Sequence, residues 1–362
     1  MVRKMKIISV VGARPNFIKL AALIPHLNKK ADHIIVHVGQ HYDYELSKVF
    51  FEHLDIPDPH YYLGVGSGTH GYQLGEGIKR MERVLFREKP DLVIVYGDTN
   101  STLIGALSAV KAGFKVAHVE AGLRSYDMRM PEEINRRIID HISWLLFAPT
   151  ETALRNLVNE KTMGKKFLVG DVHVDVLRKW IGVAEKRSQI LEKLDLEPSQ
   201  YIVTTVHRAE NTDNPDRLRA IVDILVSIPH TVIFPIHPRT KKALERNKLF
   251  EKLERNHVKV IPPLGYIDFL KLLKYSSLVI TDSGGVQREA YLLGKVSLVL
   301  RDRTEWIELA ENGWVKLVDI NKELVLKHIN NLTTPSTSKS LLGDGKAGER
   351  IAKIISNEIN SS

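Results

Sequence analysis

The 362-residue sequence contains no cysteine, which excludes disulfide bonds, thiolate metal sites and a cysteine nucleophile. It also contains no run of about 18 or more apolar residues, so we expect no segment that spans a membrane. The N-terminus leads directly into the apolar stretch 7–11 without the hydrophobic core of a signal peptide. We therefore expect a cytoplasmic location.

Several short functional motifs are missing as well. The sequence has no His-Glu-x-x-His pair, no EF-hand loop and no Walker sequence. It has no Gly-x-Ser-x-Gly nucleophile elbow either. The turn after the first apolar stretch, Gly12-Ala13-Arg14-Pro15, lacks the second and third glycines of the dinucleotide-binding fingerprint. These patterns predict no metal site.

The composition is that of a globular protein with a basic excess. Hydrophobic residues make up 43% and charged residues 26% of the chain, and the net charge is +9. Lys and Arg are scattered and often stand beside Glu, as in Arg80-Met81-Glu82-Arg83, which is typical of solvated helix faces. The excess suits a small anionic substrate, and we predict no nucleic-acid partner.

Predicted strands and helices alternate through most of the chain. In the first half, strands are predicted at 5–11, 34–38, 91–96, 116–119, 145–148 and 166–169, and helices at 17–29, 44–54, 72–87, 102–112, 131–144 and 151–159. In the second half, strands are predicted at 201–206, 231–236, 258–261, 278–281 and 296–300, and helical segments at 217–227, 241–253, 267–273, 288–293 and 304–310. The predicted strands are continuous apolar runs, as burial on both faces of a parallel sheet requires. The pattern predicts the α/β class, with doubly wound sheets.

The chain is long enough for two domains. Between 170 and 200 the alternation stops, because 174–194 is a charged, helical stretch without a strand. We therefore predict an N-terminal domain at 1–169 and a C-terminal domain at 170–344. A further amphipathic helix is predicted at 350–359.

A turn in the second half has the pattern of an anion-binding site. Ser283, Gly284 and Gly285 follow the predicted strand 278–281 and precede a helix. Such a turn presents backbone N–H groups at a helix N-terminus, and glycines let a phosphate approach closely. Glu289 lies about one turn further on and suits a sugar diol better than a phosphate. The alternative is an ordinary strand-to-helix turn.

Charged residues in the first half follow predicted strands, where ligands of open α/β sheets bind. Arg14 and Lys19 suit a phosphate clamp, or else an exposed basic first turn. Asp98 and Glu120 end strands, and Glu132 opens a helix. Asp98 also suits a helix N-cap and Glu132 a first helical turn. Three carboxylates at one sheet edge nevertheless indicate function, since like charges repel when brought together.

Two histidines end strands in the second half. His207 follows 201–206 and His237 follows 231–236. A histidine at a strand end beside a phosphate turn can donate a hydrogen bond or shuttle a proton.

Taken together, these segments resemble the non-hydrolysing UDP-N-acetylglucosamine 2-epimerases, in family order over nearly the whole chain. The matching segments are Gly12-Ala13-Arg14-Pro15 with Lys19, Gly97-Asp98-Thr99, His118-Val119-Glu120-Ala121-Gly122-Leu123-Arg124, Pro131-Glu132-Glu133-Ile134-Asn135-Arg136, Pro149-Thr150-Glu151, Val206-His207-Arg208, Thr281-Asp282-Ser283-Gly284-Gly285 with Glu289, Thr304-Glu305, and Gly343-Asp344-Gly345-Lys346-Ala347.

The resemblance implies a glycosyltransferase-B-like fold, with two Rossmann-like domains facing across a cleft and a C-terminal helix, 345–362, returning to the first domain. It implies a cytoplasmic homodimer that needs no metal or nicotinamide cofactor. It also implies reversible conversion of UDP-N-acetylglucosamine to UDP-N-acetylmannosamine through elimination and re-addition of UDP, with a glycal intermediate, for polysaccharide biosynthesis.

The resemblance also implies roles for individual residues. The implied catalytic residues are Asp98, Glu120, Glu132 and His207, without an assignment of base and acid. The implied substrate-binding residues are Arg14, Lys19, His207, Ser283, Gly284 and Gly285 for UDP, Glu289 for the ribose and Phe269 for the uracil.

Two departures from the family pattern bear on specificity. Trp306 stands where the family often has an arginine. A tryptophan also occupies this position in relatives that act on UDP-2,3-diacetamido-2,3-dideoxyglucuronate. Gln40 and His41 match a second, activating substrate site, whereas Asp43 stands in place of the usual glutamine. The alternatives are a 2-epimerase for the glucuronate sugar, a glycosyltransferase of the same fold, and a non-catalytic UDP-sugar sensor.

Overall fold

The computed structural model describes residues 4–39, 51–52, 54–254, 257–336 and 340–361, apart from the side chain of Arg14. Gln40, His41 and Asp43 lie outside the described residues, and so does most of the helix predicted at 44–54. The chain divides into two compact units, Met1–Arg178 with Ser340–Ser362, and Lys179–Lys339.

The first unit is a parallel seven-stranded sheet in the order β3-β2-β1-β4-β5-β6-β7. Its strands are β1 (Met5–Val11), β2 (Ala31–His37), β3 (Tyr61–Tyr62), β4 (Leu92–Tyr96), β5 (Val116–Val119), β6 (Leu145–Ala148) and β7 (Lys165–Leu168). Its helices are Arg14–Lys30, His70–Glu88, Asn100–Lys111, Pro131–Ile142, Glu151–Asn159 and Ala347–Asn360, while Val172–Arg187 runs across the division between the units.

The second unit is a parallel six-stranded sheet in the order β10-β9-β8-β11-β12-β13. Its strands are β8 (Tyr201–Thr205), β9 (Thr231–Pro235), β10 (Val258–Ile261), β11 (Val279–Thr281), β12 (Ser297–Val299) and β13 (Val315–Leu317). Its helices are Ile190–Leu194, Ala209–Thr212, Pro215–Ser227, Pro238–Arg246, Phe250–Glu254, Tyr266–Tyr275, Gly284–Leu292, Ile307–Glu311 and Lys322–Asn330.

The prediction of two doubly wound α/β sheets is confirmed. In each parallel sheet the order in which successive strands are added switches sides at one point, between β1 and β4 in the first unit and between β8 and β11 in the second. Ligands of such sheets bind outside the carboxyl ends of the strands at this point. The segments of interest are therefore the ones that follow these four strands.

The C-terminal helix belongs to the first unit. The backbone N–H groups of Ala347 and Gly348, at its start, donate to the Asp175 carboxylate at 3.2 and 2.9 Å. A side chain at Gly348 would collide with the backbone carbonyl of Ala22. Glycine therefore lets this helix pack against the backbone of the Arg14–Lys30 helix.

Several element boundaries differ from the predictions. The helix predicted at 241–253 is two helices, Pro238–Arg246 and Phe250–Glu254, because Lys248 between them is left-handed with φ 56°. The helix predicted from 288 begins at Gly284, and the segment 304–310 is helical only over Ile307–Glu311. The structure also contains elements that were not predicted, namely β3, β13, Ala209–Thr212 and Lys322–Asn330. Both strands are three residues or shorter, too short for a periodic signal.

None of the helices in the described part of the chain combines the length and the apolar character needed to cross a bilayer.

Candidate active site

Lys19 and Glu120 form a buried ion pair in the first unit. The Lys19 ammonium lies 2.9 Å from a Glu120 carboxylate oxygen, and the two residues are 2% and 8% exposed. The alternative of an exposed basic turn is therefore wrong for Lys19. A lysine that is buried beside a carboxylate supplies its counter-charge. The role of Lys19 as a phosphate clamp stays a prediction.

Glu120 has a left-handed backbone, with φ 74°. This conformation is uncommon for a residue other than glycine and stores strain, which concentrates at functional sites. Its N–H and that of Ala121 both donate to the carbonyl of Phe147, at 3.1 and 3.0 Å. These two bonds to β6 hold the turn that carries the Glu120 side chain.

Asp98 follows β4 and is bound to Arg136 on the Pro131–Ile142 helix. Both Nη2 and Nε of Arg136 donate to Oδ2 of Asp98, at 2.6 and 2.9 Å. The N-cap of the next helix is Thr99, whose hydroxyl accepts from the Thr102 N–H. The alternative role of Asp98 as that N-cap is therefore wrong. Its carboxylate is held instead at the carboxyl edge of the sheet.

The adjacent Glu132 and Glu133 have different environments. Glu133 is fully buried and accepts bonds from the N–H and hydroxyl of Ser125 and from Arg136. Burial opposes its ionisation, but these hydrogen bonds and the Arg136 charge together hold the pKa of Glu133 below its usual range. Glu133 is a structural anchor, whereas Glu132, the predicted catalytic residue, is only half-buried.

Sequence reasoning missed two residues close to Glu120. Oxygen and nitrogen atoms of Glu120, Asp171 and His173 all lie within 4.8 Å of one another, and all three residues are buried. Asp171 and His173 follow β7 at the same edge of the sheet. Their position after a predicted strand is the sequence signal that could have identified them. The set contains possible metal ligands, but the Lys19 ammonium already pairs with Glu120. The prediction that the protein needs no metal stays a prediction.

In the second unit, Asp282 after β11 organises the turn that carries His207. Its buried carboxylate accepts from the backbone N–H groups of His207 and Arg208, at 3.0 Å each, and from the Asn211 amide at 3.1 Å. Nδ1 of His207 lies 3.5 Å from the same carboxylate. Asp282 directly precedes the predicted phosphate turn and was given no role there. An aspartate directly after a buried strand was the signal.

The predicted phosphate turn starts the Gly284–Leu292 helix. Ser283 occupies the N-cap, but its hydroxyl makes no cap hydrogen bond. Its backbone N–H donates instead to the Thr281 hydroxyl at 2.9 Å. A Cβ at Gly284 would lie 2.5 Å from a Glu305 oxygen, whereas a Cβ at Gly285 would meet nothing nearer than 3.8 Å. The backbone at Gly285 is therefore open to a ligand.

Charged side chains lie behind this turn, and Arg301 and Glu305 among them are buried. Arg301 binds Glu305 and Glu210, at 3.1 Å each, and an Arg208 nitrogen is 3.7 Å from Glu305. Trp306, the departure from the family pattern, is fully buried, and the Arg288 guanidinium lies 4.4 Å from the centre of its ring. At this distance a guanidinium is attracted to the face of the indole.

The remaining predicted site residues are placed as follows. Glu289 is buried on the Gly284–Leu292 helix, and Phe269 is half-buried and packs against the apolar core from the Tyr266–Tyr275 helix. The exposed His237 lies with its ring 5.8 Å from that of His207. Arg14 is the first residue of the Arg14–Lys30 helix, and its side chain lies outside the description. The roles of the predicted site residues stay predictions.

Doubly wound parallel sheets with polar residues and a glycine turn after their strands are typical of nucleotide-binding enzymes. Comparison with known proteins agrees with this class. The profile of the UDP-N-acetylglucosamine 2-epimerase family matches residues 26–356. The chain therefore belongs to the UDP-N-acetylglucosamine 2-epimerase family, whose members are isomerases.

Individual relatives support the assignment. A UDP-N-acetylglucosamine 2-epimerase homolog of Methanococcus maripaludis is 48% identical over 98% of this chain and 100% of its own length. A UDP-2,3-diacetamido-2,3-dideoxy-D-glucuronate 2-epimerase of Pseudomonas aeruginosa is 43% identical over 97% of this chain and 99% of its own. The crystal structure of a Methanocaldococcus jannaschii UDP-GlcNAc 2-epimerase, in complex with UDP-GlcNAc and UDP, matches with a TM-score of 0.93 at 46% identity, over 98% of this chain and 100% of that one. The glycosyltransferase-B-like fold expected from the resemblance is thereby confirmed.

Proposed function

We propose that this protein interconverts UDP-N-acetylglucosamine and UDP-N-acetylmannosamine by elimination and re-addition of UDP. The observation that carries the proposal is the buried Lys19–Glu120 pair, with Glu120 in a strained backbone conformation. A carboxylate kept in such a place has a use other than solubility. Membership of the epimerase family supplies the substrate class.

The reaction needs a proton acceptor and a leaving group. The C–H bond at C2 of the sugar breaks, and its electron pair forms a C1=C2 double bond as the bond from C1 to the UDP oxygen breaks. UDP departs with that second electron pair and leaves a glycal. Re-addition of UDP at C1 and of a proton at the opposite face of C2 completes the inversion. The carboxylates proposed for these proton transfers are Asp98, Glu120 and Glu132.

Binding of UDP is proposed for residues at the sheet edges. Ser283, Gly284 and Gly285 would hold the pyrophosphate through backbone N–H groups at a helix start. His207, whose loop is fixed by Asp282, would donate to a phosphate oxygen or carry a proton. Arg14 and Lys19 would add positive charge. Glu289 is proposed for the ribose hydroxyls and Phe269 for the uracil.

Solvent labelling tests the proposal directly. Incubation of the protein with UDP-N-acetylglucosamine in heavy water should give UDP-N-acetylmannosamine and place deuterium at C2 of both sugars, without any acceptor. Release of UDP and free N-acetylmannosamine as main products would indicate a hydrolysing enzyme instead. Substrate that binds without gaining deuterium would contradict the epimerase and favour a sensor. A parallel incubation with UDP-2,3-diacetamido-2,3-dideoxyglucuronate tests which sugar the protein prefers, because relatives that act on that compound also have a tryptophan at the position of Trp306.

We also propose that the protein is a homodimer. Ile134 and Ile138 are 40% and 39% exposed on one face of the Pro131–Ile142 helix. Neighbouring apolar side chains that remain exposed are typical of an interface. Sedimentation of the wild type should give twice the chain mass, and Ile134→Asp should shift it toward the monomer. A monomeric wild type would contradict the proposal.

A further inference from the structure

His118 on β5 is a buried histidine with two hydrogen-bond acceptors. Its Nε2 lies 2.7 Å from the carbonyl oxygen of Gly97, and its Nδ1 lies 2.7 Å from Oδ1 of Asp140. A carbonyl oxygen can only accept, so Nε2 must carry a proton. The protonation state of the ring therefore depends on what Asp140 does at Nδ1.

Asp140, on the Pro131–Ile142 helix, has the bonding pattern of an ionised carboxylate. Its Oδ2 accepts from the Gly122 N–H at 3.1 Å and lies 2.8 Å from Nη1 of Arg124. Burial opposes ionisation, but the bond from His118 and the charge of Arg124 hold the pKa of Asp140 below its usual range. An ionised Asp140 cannot donate to Nδ1, so Nδ1 donates to Asp140.

The charges that face His118 balance when its ring is an imidazolium. Arg124 also donates to both oxygens of Glu160, at 2.9 and 2.6 Å. His118 and Arg124 then contribute two positive charges, and Asp140 and Glu160 contribute two negative ones. Arg137, 3.9 Å from Glu160, is itself paired with Glu133 at 3.2 Å. Paired charges of this kind can remain buried, whereas an unpaired one is costly.

This group fixes both loops that carry the proposed reacting carboxylates. Gly97, which accepts from His118, directly precedes Asp98, and Gly122, which donates to Asp140, follows Glu120 by two residues. Gly97 and Gly122 have φ of 66° and 85°. A side chain at Gly122 would collide with the carbonyl of Ala153. Each loop thus has a backbone conformation that favours glycine. One end of the ion pair, His118, holds the loop at Gly97, and the other end, Asp140, holds the loop at Gly122.

We propose that His118 and Asp140 are positioning residues for the epimerase reaction, because their imidazolium–carboxylate pair ties the Asp98 loop to the Glu120 loop. The inference rests on the proposed function, since Asp98 and Glu120 have to be the reacting carboxylates. The pair touches no reacting atom itself. It fixes the separation of two groups that must act on one carbon, and small displacements of such groups slow a reaction strongly.

Two variants separate charge from geometry. In Asp140→Asn the amide can still accept from Gly122 and donate to Nδ1, so the ring becomes neutral while its bond to Gly97 stays. His118→Phe removes both bonds. We expect kcat to fall about 10- to 100-fold in Asp140→Asn and further in His118→Phe, with KM for UDP-N-acetylglucosamine little changed. The matched control is His33→Gln, which alters another buried histidine of the same unit and should leave kcat unchanged.

The wild-type protein provides a test that does not depend on activity or on the folding of a variant. With ¹⁵N-labelled histidine, the His118 ring should show two protonated nitrogens under the conditions of the activity assay, and a single one in Asp140→Asn. A neutral His118 ring in the wild type would overturn the inference, and so would unchanged kcat in both variants. If the wild type shows the imidazolium but no exchange at C2, the proposed function fails, and the positioning role fails with it, while the buried ion pair stands.

Discussion

The ammonium of Lys19 lies 2.9 Å from the carboxylate of Glu120, although 100 residues separate them in the chain, and water reaches almost none of either side chain. Two buried charges so close together stabilise each other. Removal of one leaves the other buried without a counter-charge, which strongly destabilises the fold. Loss of either side chain should therefore lower both the stability of the first unit and the activity.

A double-mutant cycle measures this connection. Lys19→Met and Glu120→Gln should each lower the free energy of unfolding by about 3 kcal/mol, since each leaves one buried charge unpaired. The double variant should lose less than the sum and remain inactive. Urea unfolding and C2 exchange in heavy water provide the two readouts. Additive losses of stability would show that the two side chains do not interact in solution.

Asp98→Asn tests the proposed chemistry at the end of β4. The amide keeps the size of the side chain but can neither take up nor deliver a proton at C2, so kcat should fall by at least about 100-fold. UDP affinity, measured by calorimetry, should remain within about threefold, because Asp98 is proposed for proton transfer and not for binding UDP. Asp216→Asn, at an exposed position on the Pro215–Ser227 helix, is the control. Full activity of Asp98→Asn would remove Asp98 from the catalytic set.

The two glycines of the turn should respond differently to alanine. In Gly284→Ala the new methyl group meets Glu305 at 2.5 Å, so the free energy of unfolding should fall by about 1–3 kcal/mol. In Gly285→Ala the methyl group has room, and stability should change by less than about 0.5 kcal/mol. UDP affinity should still fall in Gly285→Ala, because the methyl group holds a phosphate away from the backbone. Unchanged UDP affinity in that variant would contradict the proposed phosphate turn.

His33 predicts a pH dependence of stability. Burial, with a smaller contribution from the charge of His60, lowers its pKa from 6.5 to about 4. Between these values the unfolded chain binds a proton at His33 and the folded chain does not, so stability falls as the pH falls. Between about pH 7 and about pH 5 this one group should lower the free energy of unfolding by about 2 kcal/mol.

The measurement is urea unfolding of the wild type and of His33→Gln at both pH values. His37, whose pKa is also lowered to about 4 by burial, should keep its own contribution in the variant. The variant should therefore retain a pH dependence that is smaller by about 2 kcal/mol. An equal dependence in both proteins would show that His33 titrates normally in the folded state.

The fold could be predicted from the sequence because its signals are local. The strands from β4 to β6 are apolar runs that lie between helical segments, and their positions follow from burial on both faces of a sheet. The same logic located Asp98, Glu120 and His207 at strand ends. It failed where an element was too short for a pattern, as in β13, or where one left-handed residue, Lys248, divided a helix.

The partners of the site residues could not be predicted in this way. Glu132 and Glu133 are the same residue type side by side, yet Glu133 is buried against Ser125 and Arg136 while Glu132 is half-buried. Asp171 and His173 come close to Glu120 only because β7 joins the same sheet edge through β6. The ion pair of His118 with Asp140 joins β5 to a helix 22 residues further along the chain.

The sequence by itself determined the alternation of strands and helices, the parallel sheets and the family, because periodicity and motif order are properties of short segments. Only the tertiary structure decided which charges meet. It buried Lys19 against Glu120, left Glu132 half-buried and placed an imidazole between Gly97 and Asp140. The physical reason is that a side chain's environment depends on groups far away in the chain, which take their places only when the sheets have formed.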